Sequence, residues 1–286
     1  MKLHLERGTT ADGPWSLVVS PESAGWTYCG LRALELGPGG ARSFASGGDE
    51  LLVLPLEGGC VVECESRRFE LAGRAGVFSA VSDFAYVPRD AEVRVSSAGG
   101  GRFILPSARA ANRLDPAYGP AEAVPVELRG AGQASRQVNN VCTPASFPAD
   151  KMLVVEVLTP AGNWSSYPPH KHDEDRPGES VLEEIYYFEV SRGPAGEPGI
   201  AYQRVYGATD VLAEVRTGDV VLIPRGWHGP SMAAPGYDLY YLNVMAGPGE
   251  RAWRFCDDPA HAWVRGTWDG QAVDPRLPMT GPGGNA

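Results

Sequence analysis

The chain is poor in cysteine, histidine, basic charge and long apolar runs. Its five cysteines (Cys29, Cys60, Cys64, Cys142 and Cys256) are odd in number and scattered over 286 residues. This argues against a disulfide framework and for reduced thiols. Cys60 and Cys64 would share one face of an extended strand, as two core thiols do. No cysteine has a histidine close by in sequence to activate it as a nucleophile. Nowhere do about 18 apolar residues run together, so no membrane-spanning helix is expected. The opening residues, M-K-L-H-L-E-R-G-T-T, hold no apolar stretch or cleavage-like site, so a cytoplasmic protein is expected. Lysine and arginine total 25 against 35 acidic residues, a net charge of −10. Without a basic face the chain is a poor binder of nucleic acid. Without a basic amphipathic stretch it is equally poor at membrane surfaces.

Glycine and proline are abundant, at 36 and 25 residues. They punctuate the chain too often for long helices and favour an all-β protein of short strands. The hydrophobic fraction of 43% is enough for a sizeable core. A diverged internal repeat is visible. In the first half, D-E-L-L-V-L-P-L-E-G-G (residues 49–59) leads through several short strands to V-P-R (87–89). In the second, E-E-I-Y-Y-F-E-V (183–190) leads to I-P-R-G-W-H (223–228). Alternating patterns at this spacing predict two similar antiparallel barrels or jelly rolls. The expected division is an N-terminal domain over 1–106, a polar Pro/Ala-rich connection over 107–135 and a second domain over 136–265. A Gly/Pro-rich tail follows over 266–286, its last few residues expected to be disordered.

Three of the five histidines lie in two short segments. Y-P-P-H-K-H (167–172) carries His170 and His172, which point the same way on an extended strand. L-E-E-I-Y-Y-F (182–188) carries Glu184, with Glu183 as the alternative carboxylate, and I-P-R-G-W-H ends in His228. Three imidazoles and a carboxylate suit one divalent transition metal. The first half lacks this set. Glu50 is matched to Glu184, no histidine precedes it, and the position matching His228 is about Glu92. One metal site per chain is expected, in the second barrel.

These residues resemble the cupin superfamily. Gly162, His170, His172, Glu184 and Gly193 follow its first motif; Gly218, Pro224, Gly226, His228 and Asn243 follow its second. The loop from His172 to Glu184 is longer than usual, and one residue rather than two separates Gly226 from His228. The string G-N-W-S-S-Y-P-P-H-K-H-D (162–173), together with E-E-I-Y-Y-F, Y-L-N-V-M-A-G-P, R-Q-V-N-N (136–140) and D-P-R-L-P-M, is similar to the bicupin uronate isomerases, in particular the 5-deoxyglucuronate isomerase family of myo-inositol catabolism. The resemblance covers nearly the whole chain. It implies one metal per chain, zinc with Mn2+ or Fe2+ as alternatives, and a small sugar-acid substrate. It also implies conversion of 5-deoxy-D-glucuronate to 5-dehydro-2-deoxy-D-gluconate. Assembly into a homo-oligomer through an edge strand is a further expectation.

Aldose–ketose isomerisation moves a proton between C2 and C1 and needs an acid/base group. Glu156, in the otherwise apolar L-V-V-E-V-L, is the candidate base, with an outward or arginine-paired side chain as the alternative. Tyr186 shares the face of Glu184 by strand alternation and is the candidate proton shuttle or a core aromatic. Tyr241 faces inward with Asn243. The substrate carboxylate calls for a cation. Arg136, Arg225, Lys171 and Arg276 are available; Arg136 is preferred by the resemblance, and Arg225 sits at the barrel mouth. Lys171, between two inward histidines, is expected to point outward into solvent, and His4 and His261 to be structural or surface residues. Three other readings stay open: a ketol-isomerase of another uronate such as a 5-keto-4-deoxyuronate, an Fe(II) cupin dioxygenase, and a non-catalytic sugar-acid-binding module.

Overall fold

A computed structural model describes residues 2–283. The expectation for the last residues of the tail therefore lies in part outside the described residues. The chain is nearly all β, as its turn-rich composition requires, with one four-residue α-helix and three 3-10 segments among the described residues. No helix among them is long and apolar enough to cross a membrane.

Two antiparallel barrels stand side by side. The first is a nine-stranded curled sheet built around the long strand Asp49–Cys64, which pairs with Arg67–Arg74, Phe84–Val87, Glu92–Ser97 and Gly101–Arg109. The second has two sheets. A seven-stranded one runs through Val220–Ile223, Glu183–Val190, Leu239–Ala246, Leu153–Thr159, Arg136–Cys142 and Val126–Arg129. A six-stranded one centres on Trp227–Ala233.

Side-chain alternation sorts the apolar residues into three clusters. Leu51, Val53, Cys60, Val62 and Cys64 fill the first barrel. Val155, Val157, Tyr186, Phe188 and Tyr241 fill the second. Leu52, Leu54, Ile185, Tyr187, Leu242 and Val244 form a third cluster where the two barrels meet. Strands buried on both faces explain why so many read as continuous apolar runs. All five cysteines are free, and Cys60 and Cys64 share the first barrel's core as expected.

The two halves grip each other reciprocally. The Glu50 carboxylate accepts hydrogen bonds from the backbone N–H groups of Asp150, Lys151 and Met152 (2.7–2.8 Å) and from the Tyr86 hydroxyl. The Glu183 carboxylate accepts from those of Thr27, Tyr28 and Cys29 (2.7–2.9 Å). Glu50 is therefore the counterpart of Glu183 and not, as its sequence position suggested, of Glu184. Strand pairing says the same: Leu51 lies opposite Val87 just as Glu184 lies opposite Ile223. The one-residue offset was hidden because both halves carry an acid at the start of the strand, and a one-residue slip reverses every facing. Glu183 is thereby also removed as a candidate metal ligand.

The chain ends cross over as well. His4–Leu5 adds a strand to the second barrel beside Val220–Ile223, with His4 Nε2 3.0 Å from Asp219. At the other end, Pro282 bridges to Val81 of the first barrel.

Candidate metal centre

The second barrel's two sheets deliver four donors to one buried point. His170 and His228 lie opposite each other on neighbouring strands of the six-stranded sheet. His172 follows two residues after His170, and Glu184 comes from the facing sheet on Glu183–Val190. The three imidazoles each offer a ring nitrogen, all within 4.8 Å of one another. Glu184 Oε2 lies 3.2 Å from His172 Nε2 and 3.1 Å from His228 Nε2. All four residues are buried.

Outer contacts fix which ring nitrogens are free. His172 Nδ1 lies 3.1 Å from the Leu182 carbonyl oxygen, and His228 Nδ1 3.2 Å from that of Gly226. A carbonyl only accepts, so each Nδ1 carries the proton and each Nε2 presents a lone pair. His228 Nε2 is buried without a hydrogen-bond partner even though Glu184 Oε2 is close. Lone pairs held this near one another need a proton or a cation between them, and nitrogen and oxygen donors of this kind suit Zn2+, Mn2+ or Fe2+. Burial would raise the Glu184 carboxyl, but His228 and His172 outweigh it and bring it down to about 2. Burial, then the neighbouring His228 and His172, push His170 well below the usual imidazole value. Asn243 Nδ2 donates to Glu184 Oε1 at 2.8 Å and orients the carboxylate.

Local sequence explains the approach of these elements. Gly226 has φ +102°, a conformation that side-chain-bearing residues rarely adopt, and its N–H donates to Asp173 (2.8 Å) just past His172. A Cβ on Gly229 would lie 1.8 Å from the Ser166 carbonyl oxygen, so glycine permits the 164–166 segment to pack there. The long loop after His172 is pinned by Lys171, whose Nζ donates to Glu174 (2.8 Å) and Glu179 (3.0 Å) and also binds Asp173. Lys171 points away from the site as expected, but it is held by these three acids instead of being solvated.

The other expected residues divide sharply. Tyr186 and Tyr241 face inward beside the histidines, with ring centroids 5.1 Å apart. The Tyr186 hydroxyl is 3.1 Å from Ser166 Oγ, and Tyr241 donates to Ser165 Oγ at 2.9 Å. Burial, then the Glu184 charge, push the Tyr186 hydroxyl well above its usual value. Burial pushes Tyr241 up to about 12. Arg136 lines the same cavity as His170, Tyr186, Tyr241 and Asn243. It is buried, and its Nη1 donates to the Ala134 carbonyl (3.0 Å); no carboxylate among the described residues ion-pairs with it. Burial lowers its guanidinium to about 10.

Glu156 is a correction. It is fully buried on the other face of its strand, at the junction of the barrels, paired with Arg74 and accepting from Tyr240 (2.9 Å) and Asn139 (3.0 Å). Strand alternation sends Val155 and Val157 into the barrel and Val154, Glu156 and Leu158 out of it. Arg225 is also displaced: its side chain is exposed, and it does not line the cavity. Arg276 is paired with Asp274 and reaches the Ala161 carbonyl (2.9 Å). Sequence reasoning missed Trp253, Phe255, Arg129 and Arg265, which complete the cavity wall. Arg129 is neutralised by Glu127, and Arg265 by Asp257. The alternating W-R-F-C-D run at 253–257 was the available signal.

Residues 3–264 match the KduI/IolB family. The chain belongs to the KduI/IolB family. Named relatives agree. A 5-deoxy-glucuronate isomerase of Geobacillus kaustophilus (strain HTA426) is 43% identical over 259 residues, covering 86% of this chain and 89% of that protein. One from Bacillus subtilis (strain 168) is 36% identical over 252 residues, covering 86% and 91%. Among solved structures, an IolB-like protein from Salmonella typhimurium LT2 superimposes with a TM-score of 0.82 at 33% identity, over 92% of this chain and 99% of that one. An oxalate decarboxylase from Lactobacillus farciminis (TM-score 0.63, 12% identity, 90% and 88% covered) shares the fold alone. The KduI/IolB assignment spans both barrels, including the first, which has no histidine cluster among its described residues.

Proposed function

We propose that this chain is a metal-dependent aldose–ketose isomerase that converts 5-deoxy-D-glucuronate to 5-dehydro-2-deoxy-D-gluconate. The observation that carries this reading is the lone-pair cluster of His170, His172, Glu184 and His228, whose His170 lines a cavity shared with Arg136, a cation with no ion-paired carboxylate among the described residues. The named relatives, at 36% and 43% identity, support the choice of substrate.

In this reading the four residues hold one divalent ion, zinc in preference to Mn2+ or Fe2+ because the reaction needs no redox step. When bound, the ion supplies Lewis acidity for a carbonyl and its neighbouring hydroxyl. Arg136 seats the substrate carboxylate, for which its planar fork is suited. Tyr186, which keeps its proton at neutral pH, gives it to the C1 oxygen as a water takes the C2 proton, and regains one from the C2 hydroxyl through Ser166 as water returns a proton to C1. Tyr241 and Asn243 wall the chamber. Glu156 takes no part. One ion per chain is supported by Leu51, an apolar residue at the position equivalent to Glu184. The division at residues 106, 135 and 265 is proposed as the outline of the two barrels, except that strand Gly101–Arg109 completes the first, Val126–Arg129 joins the second, and both chain ends cross between them.

The test is proton NMR of the purified protein with 5-deoxy-D-glucuronate in deuterated water, with and without chelator. Conversion to the ketose, abolished by chelation and carrying deuterium at C1, is expected. A metal-loaded, folded protein that leaves the sugar acid unchanged would reject the reading.

Arg136→Met is expected to raise KM for the sugar acid. Losing a hydrogen bond to a charged group costs about 1.5–3 kcal/mol, or about 10- to 150-fold in kcat/KM. The methyl ester of the substrate should show no further loss in the variant. Equal losses for acid and ester would mean that Arg136 serves the fold and not the carboxylate.

A further inference from the structure

The chamber beside the histidines is too small for a sugar acid. It leaves about 30 Å3 of free space, whereas ligand sites usually measure about 300–1,000 Å3. Next to it, outside the barrel, lies a second cavity of about 480 Å3, walled by Trp164, Tyr167, Ala134, Val264 and Trp268. Arg136 and Arg265, which line the chamber, both pack on Trp268, which lines the outer cavity. The Arg136 guanidinium lies 5.6 Å from the Trp268 ring, and that of Arg265, on the chamber side, lies 5.1 Å from it. Trp268 belongs to the 3-10 segment Ala262–Gly270. Nine residues is long for a 3-10 helix, whose hydrogen bonds are poorer than those of an α-helix. None of its residues is buried, the mark of a segment that opens at low cost. The Trp268 indole N–H is buried without a partner, so the closed position leaves a polar group unsatisfied. Gly266 and Gly270 interrupt the segment, each with open space around it.

We propose that the outer aromatic cavity is the entrance for the sugar acid and that Trp268 is the gate between it and the metal chamber. The Ala262–Gly270 segment swings outward about its glycines to join the two volumes. The carboxylate then meets Arg136 in the wall and is handed inward. This rests on the metal site proposed above, and its test is independent of the substrate's identity.

The test is metal release from the zinc-loaded full chain to a chromogenic carboxylate chelator, followed in time. In the parent protein, release is expected to be slow and independent of chelator concentration, because opening limits it. Trp268→Ala should release metal at least tenfold faster and in proportion to chelator. Gly266→Ala combined with Gly270→Ala should slow release by about two- to fivefold, the effect of stiffening two flexible backbone positions. Trp263→Ala, a change at the 67% exposed tryptophan on the same segment, should match the parent. Release from Trp268→Ala at the parent rate would overturn the gate. So would acceleration by Trp268→Ala and Trp263→Ala alike, which would signal general loosening. Failure of the isomerase assay with this pattern of release intact would reject the substrate and leave the gate standing.

Discussion

Replacing His228 by alanine is expected to abolish stoichiometric metal binding and to cut turnover roughly 1,000-fold or more, while the protein stays folded. The Lewis acid is worth several kcal/mol to the reaction, and each 1.36 kcal/mol is about a factor of ten in rate. His228 has the strongest claim among the four candidate donors. Its Nδ1–H is held by the Gly226 carbonyl, and its Nε2 is buried beside Glu184 with no hydrogen-bond partner. The removed ring leaves a space lined by His170, His172 and Tyr186, whose rings lie 4.4, 4.7 and 6.2 Å from it. Asn243→Ala should act more mildly, about 10- to 100-fold in metal affinity, because it frees the Glu184 carboxylate without removing a donor. Metal content by elemental analysis and the NMR assay decide the matter. A His228→Ala protein that holds one ion per chain and turns over within tenfold of the parent would show that the cluster is not the metal centre.

The second large effect is on stability. Arg74→Met should destabilise the protein by about 3–5 kcal/mol, because it leaves the Glu156 carboxylate buried and uncompensated where the barrels meet. Arg74 also donates to the Pro55 and Ala80 carbonyls (both 3.0 Å), so the loss reaches the strand Asp49–Cys64 and the turn before Phe84 as well. Adding Glu156→Gln to the variant should recover much of the loss, since the amide keeps Tyr240 and Asn139 within reach without a buried charge. Urea denaturation measures the change. The same pair of variants separates structure from chemistry at Glu156. Turnover by the folded double variant should stay near the parent value. If Glu156→Gln alone removes turnover with metal and fold retained, Glu156 is the base after all and its position at the barrel junction misleads.

Much of the protein is written in the order of its residues. Frequent glycine and proline exclude long helices, and alternating short strands repeated in two halves specify paired antiparallel barrels. The candidate donor set was legible because three of five histidines fall at short, fixed spacings around strand ends. Period-two alternation from Glu184 also placed Tyr186 inward, as the packing has it. That rule needed an anchor. Glu184 had one in the histidines, whereas Glu156 sits in a strand apolar on both faces, where no pattern tells inside from outside. Only the meeting of two barrels made its outer face as buried as its inner one and set Arg74, 82 residues away, against it.

The same limit misaligned Glu50, since one acid at the head of a strand looks like another until cross-strand pairing sets the register. Trp253 and Phe255 were open to a reading by alternation, but the rest of the wall and the Trp268 segment behind it were beyond sequence reasoning for a different cause. That segment is largely irregular, and irregular backbone has no period from which facing can be read. Local chemistry therefore determined the strands, the turns and the four candidate donors. Long-range pairing alone decided which buried charges meet each other, that Arg136 faces no carboxylate among the described residues, and how the chamber is closed.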